Sequence, residues 1–151
     1  MNKIFKVLGI FFLLALIALA VLIGYGAYSG SKLDVSSKTF VDEIVPAIVS
    51  SWSSEDVIKH ASPQLRQIAN DEQLNQLMLK LSKLGNLKKY EGSKGDSNVS
   101  LTTQYGKVVS ANYIAKAKFE NGDAEINVRV IQNDGKWQLL NFYVNSPIFL
   151  Q

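Results

Sequence analysis

Several residue types are scarce in this chain of 151 residues, and each shortage excludes a class of protein. The chain contains no cysteine, which excludes a disulfide scaffold, a thiol nucleophile and a thiolate metal site. It contains one histidine, His60, so a metal centre built from several histidines is excluded as well. The sequence has no glycine-rich phosphate loop and no G-x-S-x-G nucleophile elbow. We therefore expect no cofactor and no metal.

Positive charge is also in short supply. The whole chain has 16 Lys and Arg against 13 Asp and Glu, but from residue 32 onward 14 basic residues face 13 acidic ones. A protein that binds nucleic acid needs a dense basic face, and this balance does not provide one. We expect no nucleic-acid partner.

The excess of apolar residues is concentrated in one segment. Residues 7–28 contain no charged side chain, and these 22 residues would form a helix about 33 Å long. That length is enough to cross the hydrocarbon core of a bilayer, which is about 30 Å thick. This pattern predicts a single transmembrane helix over residues 7–28.

The charges that precede this segment predict its orientation. Lys3, Lys6 and the terminal amine precede it, so the positive-inside rule places residues 1–6 as a cytoplasmic tip. Residues 29–37 then form a polar linker, and residues 38–151 an extracytoplasmic domain. A cleaved signal peptide is the alternative, but the apolar run of 17 residues from Val7 to Ile23 is longer than is usual for one. Both interpretations export the domain across the inner or plasma membrane, to the periplasmic side if the cell is Gram-negative.

Helical spacing dominates the first half of this domain. Apolar residues recur every three or four positions in three runs, which predicts three helices. Pro46 lies within the first run, so we expect that helix to kink or break there. The second helix is predicted to start at Ser53 or Ser54 and to end before Ser62-Pro63; the third starts at Asn70 or Asp71 and ends at Gly85-Asn86.

A two-residue period follows and predicts strands. Asn121-Gly122 and Asp134-Gly135 are typical of tight hairpin turns, and the polar stretch 95–98 separates two shorter strand candidates. The predicted strands are 87–94, 99–105, 109–119, 124–132 and 136–145. Helices followed by an antiparallel meander indicate an α+β fold in which the helices cover one face of a curved, cone-like sheet.

Three groups of residues carry a resemblance to a known superfamily. They are residues 52–55 with 61–66, residues 84–90, and residues 119–122 through 134–146. In this order of elements the chain resembles the nuclear-transport-factor-like (cystatin-like) superfamily, and within it small bacterial envelope proteins with an N-terminal anchor and no assigned function. The resemblance implies a pocket between the concave sheet and the helices, and dimerisation through the open sheet face.

Enzymes on such cones use a carboxylate or a His–Asp pair inside the pocket, as the resemblance implies. His60 could be oriented by Asp56, four residues earlier on the same helix, although an exposed surface pair is the favoured explanation of this spacing. Glu125 and Arg129 could form a polar pocket floor or a solvent-facing ladder. The apolar and polar periodicity of the predicted elements places no acidic residue and no histidine inside the cone. We therefore expect no catalytic residue.

Two other surfaces are candidate binding sites. Trp137, Asn141 and Tyr143 share one face of the last predicted strand, and with Tyr113 they could line a pocket for an apolar ligand. Ile114 and Lys116 lie on the same strand as Tyr113 but on its other face, which is the open face of the predicted sheet. There they could form an interface with a protein partner or with a second copy.

Together these features predict a membrane-anchored envelope protein whose exported domain is a non-catalytic protein-interaction or assembly module. The first alternative is a carrier that holds a lipid or another small apolar ligand in the cone pocket. The second alternative is an isomerase or hydrolase on the same fold.

Overall fold

The structure, a computed structural model, describes residues 2 to 150, with side chains from residue 7 onward. Residue 1 of the expected cytoplasmic tip therefore lies outside the described residues. The helices are α1 (Asn2–Ser51), α2 (Ser54–His60), α3 (Pro63–Ile68) and α4 (Asp71–Leu81), and the strands are β1 (Leu87–Thr102), β2 (Gly106–Phe119), β3 (Asp123–Asn133) and β4 (Lys136–Asn145). Short 3₁₀ turns cover Ser82–Leu84 and Pro147–Leu150. The predicted α+β class is confirmed.

The chain divides into two compact units, Met1–Leu33 and Asp34–Gln151, which we call the anchor unit and the globular unit. In the anchor unit the large apolar side chains between Val7 and Tyr28 are all exposed. This part of α1 is long and apolar enough to cross a membrane. Lys32 places its Nζ 4.8 Å from the centre of the Tyr28 ring, a cation–π contact. The anchor unit is therefore a candidate single-pass membrane anchor.

α1 is longer than the sequence pattern indicated. Residues 29–37, expected as a linker, are helical, and the helix continues past Pro46 to Ser51 instead of breaking there. A proline inside a helix removes one backbone hydrogen bond. Val45, Ile48 and Val49 beside it are fully buried, so the packing of this turn outweighs the lost bond.

The short helices begin where side chains can cap them. Ser53 and Asn70 cap α2 and α4 as predicted, each accepting a hydrogen bond from a backbone amide of the first turn. The sequence analysis missed α3. There Ser62 accepts a hydrogen bond from the amide of Leu65, and Pro63 occupies the first helical position, where its missing N–H has no cost.

The four strands form one antiparallel sheet in the order β1-β2-β3-β4. The two shorter strands expected at 87–94 and 99–105 are one strand, because residues 95–98 pair in register with residues 110–113 of β2. Gly95 permits this pairing, since a side chain there would meet the carbonyl oxygen of Asn112. The ladder also extends β2 back to Gly106, three residues earlier than expected.

A register shift in β4 changes which side chains share a face of this strand, so the expected arrangement of Trp137, Asn141 and Tyr143 was wrong. Arg129 pairs with Asn141 but the next residue, Val130, pairs with Leu139, so Leu140 is an extra residue in β4. Such a bulge exchanges the faces of all side chains beyond it. Trp137 consequently lies on the opposite face from Asn141 and Tyr143, and their expected common lining is not formed.

The core lies between α1 and the sheet. Apolar residues of α1 pack on the alternate, inward-facing residues of β2, β3 and β4. Three of the inward positions of β2 are alanines, which allows the helix to lie close to the sheet. The fully buried positions include Val41, Ile44, Val45, Ile48, Val49, Ala111, Ala115, Ile126, Val130 and Leu139.

Candidate functional site

Two of the expected pocket residues point toward the helices, where α1 fills the space. The Tyr113 hydroxyl is buried and lies 2.8 Å from the hydroxyl of Ser37. The indole nitrogen of Trp137 donates a hydrogen bond of 2.9 Å to the hydroxyl of Ser36. Both aromatic side chains therefore bind α1 through their polar atoms, in the space that the resemblance assigns to a ligand.

The other expected site residues lie on the open face of the sheet. Asn141 pairs with Arg129, and Tyr143 pairs with Asn127, which in turn pairs with Ile114. Lys116 lies on the same face and forms an ion pair of 3.4 Å with Glu125. Glu125 is thus part of an exposed ladder of charges, which is the solvent-facing alternative considered for it.

A polar seam joins α1 to β1, and the sequence analysis did not identify it. The Asp42 carboxylate accepts hydrogen bonds from the Tyr90 hydroxyl (2.7 Å), the Ser93 hydroxyl (2.7 Å) and the Lys38 ammonium (2.5 Å). Two turns earlier, the Asp34 carboxylate accepts from the amide of Ser97 at 2.7 Å and from its hydroxyl. The only sequence signal is the spacing of Asp34, Lys38 and Asp42, which places the three on one helix face.

The pKa shifts in and beside the seam favour an ionised Asp42 and protonated tyrosines. Partial burial acts to raise the pKa of Asp42, but hydrogen bonds from Lys38, Ser93 and Tyr90 outweigh it and leave the pKa below the ordinary value. Burial and the neighbouring Asp42 carboxylate raise the pKa of Tyr90 well above its ordinary value. Burial also raises the pKa of Tyr113. Because these shifts move each pKa away from neutrality, the seam is suited to fixing β1 against α1 and not to acid–base chemistry.

The candidate His60–Asp56 pair is not formed among the described residues. The Asp56 carboxylate accepts a hydrogen bond of 2.5 Å from the hydroxyl of Ser51. The His60 ring packs edge-on against Phe40, with 6.0 Å between the ring centres. Within residues 2–150 no three His, Asp or Glu side chains come close enough together to hold a metal ion.

The two edges of the sheet differ in their protection. β1 carries five charged side chains, two register shifts and the seam contacts with α1. Among residues 2–150, main-chain pairing on the outer edge of β4 is limited to its start, where Ala61 bridges to Leu139 and the amide of Ser62 donates to the Leu139 carbonyl (2.8 Å). From Trp137 to Asn145, β4 has no charged residue. Charges and bulges are the usual devices that stop an edge strand from pairing. β4 has one bulge, at Leu140, but residues 141–145 beyond it contain neither a bulge nor a charge.

An apolar groove runs beside the unprotected part of β4. It consists of two depressions of about 220 and 280 Å³, which share Leu77 of α4 and Phe142 of β4. We call it the β4 groove. Apolar residues from five elements line it: Val57, Leu65, Ile68, Leu74, Leu77, Met78, Leu81, Phe142, Val144, Phe149 and Leu150. Ile68 and Tyr143, at its rim, are 77% and 61% exposed. Each depression is smaller than a typical small-molecule pocket and fits individual side chains.

A scan against protein-family models, a search of curated proteins and a search of solved structures each gave no match to this chain.

Proposed function

We propose that this protein is a membrane-anchored, non-catalytic protein-binding module, and that its partner contributes an extended, uncharged segment that pairs with β4 as a fifth strand. The observation that carries this proposal is the unprotected edge of β4 beside an apolar groove. A segment added there would make main-chain hydrogen bonds to β4, and every second side chain would enter the groove.

The side chains of the β4 groove and of β4 itself indicate the composition of the partner's segment. The β4 groove is mostly apolar, with Lys80 as the one charged residue among the described residues that line it, and β4 itself is uncharged from Trp137 to Asn145. A segment with several charges would therefore lose solvation with at most one ion pair in return. A complementary segment is therefore extended and apolar at alternate positions. Carriage of a small ligand has less support, because Tyr113 and Trp137 are bound to α1 in the space that a ligand would occupy.

We also propose that the globular unit is extracytoplasmic and belongs to the nuclear-transport-factor-like superfamily. Lys3 and Lys6 before the apolar segment support the orientation, and helices followed by a four-stranded antiparallel meander support the superfamily. Binding through the open sheet face at Ile114 and Lys116 is less favoured. Ile114 lies among polar neighbours there, and Lys116 is paired with Glu125.

Selection from a displayed library of random peptides on the full chain in detergent micelles tests the proposed segment. We expect the selected peptides to be apolar at alternate positions and to slow amide hydrogen exchange at residues 140–145. N-methylation of alternate peptide nitrogens should abolish binding, because it removes the main-chain donors that strand pairing requires.

Charged substitutions at the groove provide the matched comparison. Tyr143→Lys and Ile68→Lys should each weaken peptide binding at least about fivefold, which corresponds to about 1 kcal/mol. Leu79→Lys should not, because Leu79 is 71% exposed on α4 but lines neither depression. Exchange protection elsewhere than β4 would contradict the proposal. If β4 becomes protected from hydrogen exchange as the protein concentration rises, with no peptide present, then the segment that pairs with β4 comes from a second copy of this chain.

A further inference from the structure

The β1–β2 hairpin extends beyond the rest of the sheet. β1 pairs with β2 as far as Thr102 and Gly106, whereas β3 pairs with β2 only from Ser110 onward. Residues 99–109 therefore form a two-stranded arm, which we call the projecting arm. Its turn is held by the Thr102 hydroxyl, which accepts a hydrogen bond of 3.0 Å from the amide of Tyr105.

The end of the projecting arm is apolar and aromatic. Leu101 is 82% exposed and Tyr105 is 73% exposed, and the side chain of Val99 is also exposed. Lys107, which pairs with Leu101 across the two strands, is the only charged residue between Val99 and Val109. Exposed leucine and tyrosine beside a single lysine are unusual on a water-facing hairpin but are typical of segments at a membrane surface, where lysine reaches the headgroups.

The seam contacts give the direction of the arm within the globular unit. Asp42 binds Tyr90 and Ser93, and Asp34 binds Ser97, so β1 runs antiparallel to this part of α1. The projecting arm continues from Ser97 past Asp34, the first residue of the globular unit. It therefore leaves the core at the point where the chain arrives from the anchor unit.

Chain length limits how far that point lies from a membrane. The apolar segment ends at Tyr28, and the six residues from there to Asp34 span at most about 21 Å. From Ser97 to Thr102 the arm adds about 17 Å of strand, followed by its turn. The arm is thus long enough to reach the surface of the bilayer that residues 7–28 would cross.

From this placement we propose that the tip of the projecting arm is a membrane-contact site, in which Leu101 and Tyr105 enter the headgroup region and Lys107 pairs with anionic lipid. This site is separate from the β4 groove and does not depend on any protein partner. It would hold the globular unit at the membrane surface.

The absence of cysteine makes the test direct, because one introduced cysteine gives one labelled position. The full chain with Leu101→Cys, labelled with an environment-sensitive fluorophore, is reconstituted into vesicles of phosphatidylcholine and phosphatidylglycerol that contain a lipid-bound quencher. We expect a blue-shifted emission and strong quenching. Lys89→Cys is the control, since it lies on the same strand about 40 Å from Leu101 and should be quenched little.

Two further variants separate the contributions. In the Leu101→Cys background, Tyr105→Asp should reduce quenching. Vesicles of phosphatidylcholine alone should reduce it as well, because they offer Lys107 no anionic headgroup. Tyr143→Lys should leave quenching unchanged, which separates this site from the β4 groove. Absence of quenching at Leu101, or equal quenching at Leu101 and Lys89, would overturn the proposal.

Discussion

Asp42 receives hydrogen bonds from two elements, through Lys38 of its own helix and through Tyr90 and Ser93 of β1. Its carboxylate is about one-third exposed, so water only partly screens these bonds. Hydrogen bonds to an ionised group contribute more than those between neutral groups. The ionised form of Asp42 therefore helps to fasten the edge strand to α1, together with the contacts of Asp34 with Ser97.

The lowered pKa of Asp42 gives a pH-dependent prediction. A carboxylate whose pKa is lower in the folded state stabilises the fold above its unfolded pKa, near 3.8, and loses this contribution as pH falls through the folded pKa. Asp42→Asn should lower the free energy of unfolding by about 1–3 kcal/mol at pH 7. The deficit should shrink as pH falls below about 4, as measured by chemical denaturation at several pH values.

The neighbouring residue provides the control for this experiment. Glu43 is exposed on the same turn of α1, so Glu43→Gln should change the free energy of unfolding by less than about 0.5 kcal/mol. A deficit for Asp42→Asn that stays constant down to pH 2 would show that the charge of Asp42 is not what fastens the seam.

At the scale of the elements, the pairing of β1 with β2 depends on the close approach of Gly95 to the backbone of Asn112. A Cβ atom at Gly95 would lie 1.9 Å from the carbonyl oxygen of Asn112 and 2.8 Å from the Cα of Tyr113, both backbone atoms that cannot rotate away. Gly95→Ala should therefore lower the free energy of unfolding by about 1–3 kcal/mol, the range typical of overpacking. Thermal unfolding followed by circular dichroism measures this change.

Gly122 is the matched position for comparison. It lies at the other end of β2, where a Cβ atom would meet only the Ser146 hydroxyl at 3.8 Å, an ordinary contact. Gly122→Ala should have a much smaller effect. Equal losses at the two positions would mean that the approach to Asn112 is not the reason for glycine in β1.

Sequence pattern predicted the elements whose side chains alternate or repeat without interruption. β3 and β4 were placed within one residue, because apolar residues alternate along β3 and a turn that contains glycine precedes each strand. The bulge at Leu140 was missed because no glycine or proline marks it. α3 was missed because Ser62-Pro63 was interpreted as the end of α2, whereas the same two residues also begin α3.

The candidate site was harder to predict than the fold. The seam depends on Ser93 and Ser97 meeting α1 across more than 50 residues of chain, and serine on an edge strand gives no pattern of its own. The β4 groove depends on which strand lies at the edge and on what covers it, which are properties of topology. Local periodicity contains neither piece of information.

At the scale of the whole molecule, apolar side chains are exposed in two very different ways. Between Val7 and Tyr28 every large apolar side chain is exposed, which water would disfavour and lipid would not. In the globular unit the exposed apolar residues discussed above are confined to the β4 groove, the projecting arm and single positions. The proposed location of the anchor unit in lipid, together with the proposed binding sites at the β4 groove and the projecting arm, would account for both patterns.

The proposed orientation can be tested on the whole chain, because it has no native cysteine. The positive-inside rule predicts that the globular unit lies outside the membrane, so Leu79→Cys should react with a membrane-impermeant maleimide in intact cells. Leu79 is 71% exposed, so burial does not protect it. Asn2→Cys, which precedes the apolar segment, should react only after the cells are permeabilised. The opposite pattern would place the globular unit, with its β4 groove and its projecting arm, in the cytoplasm.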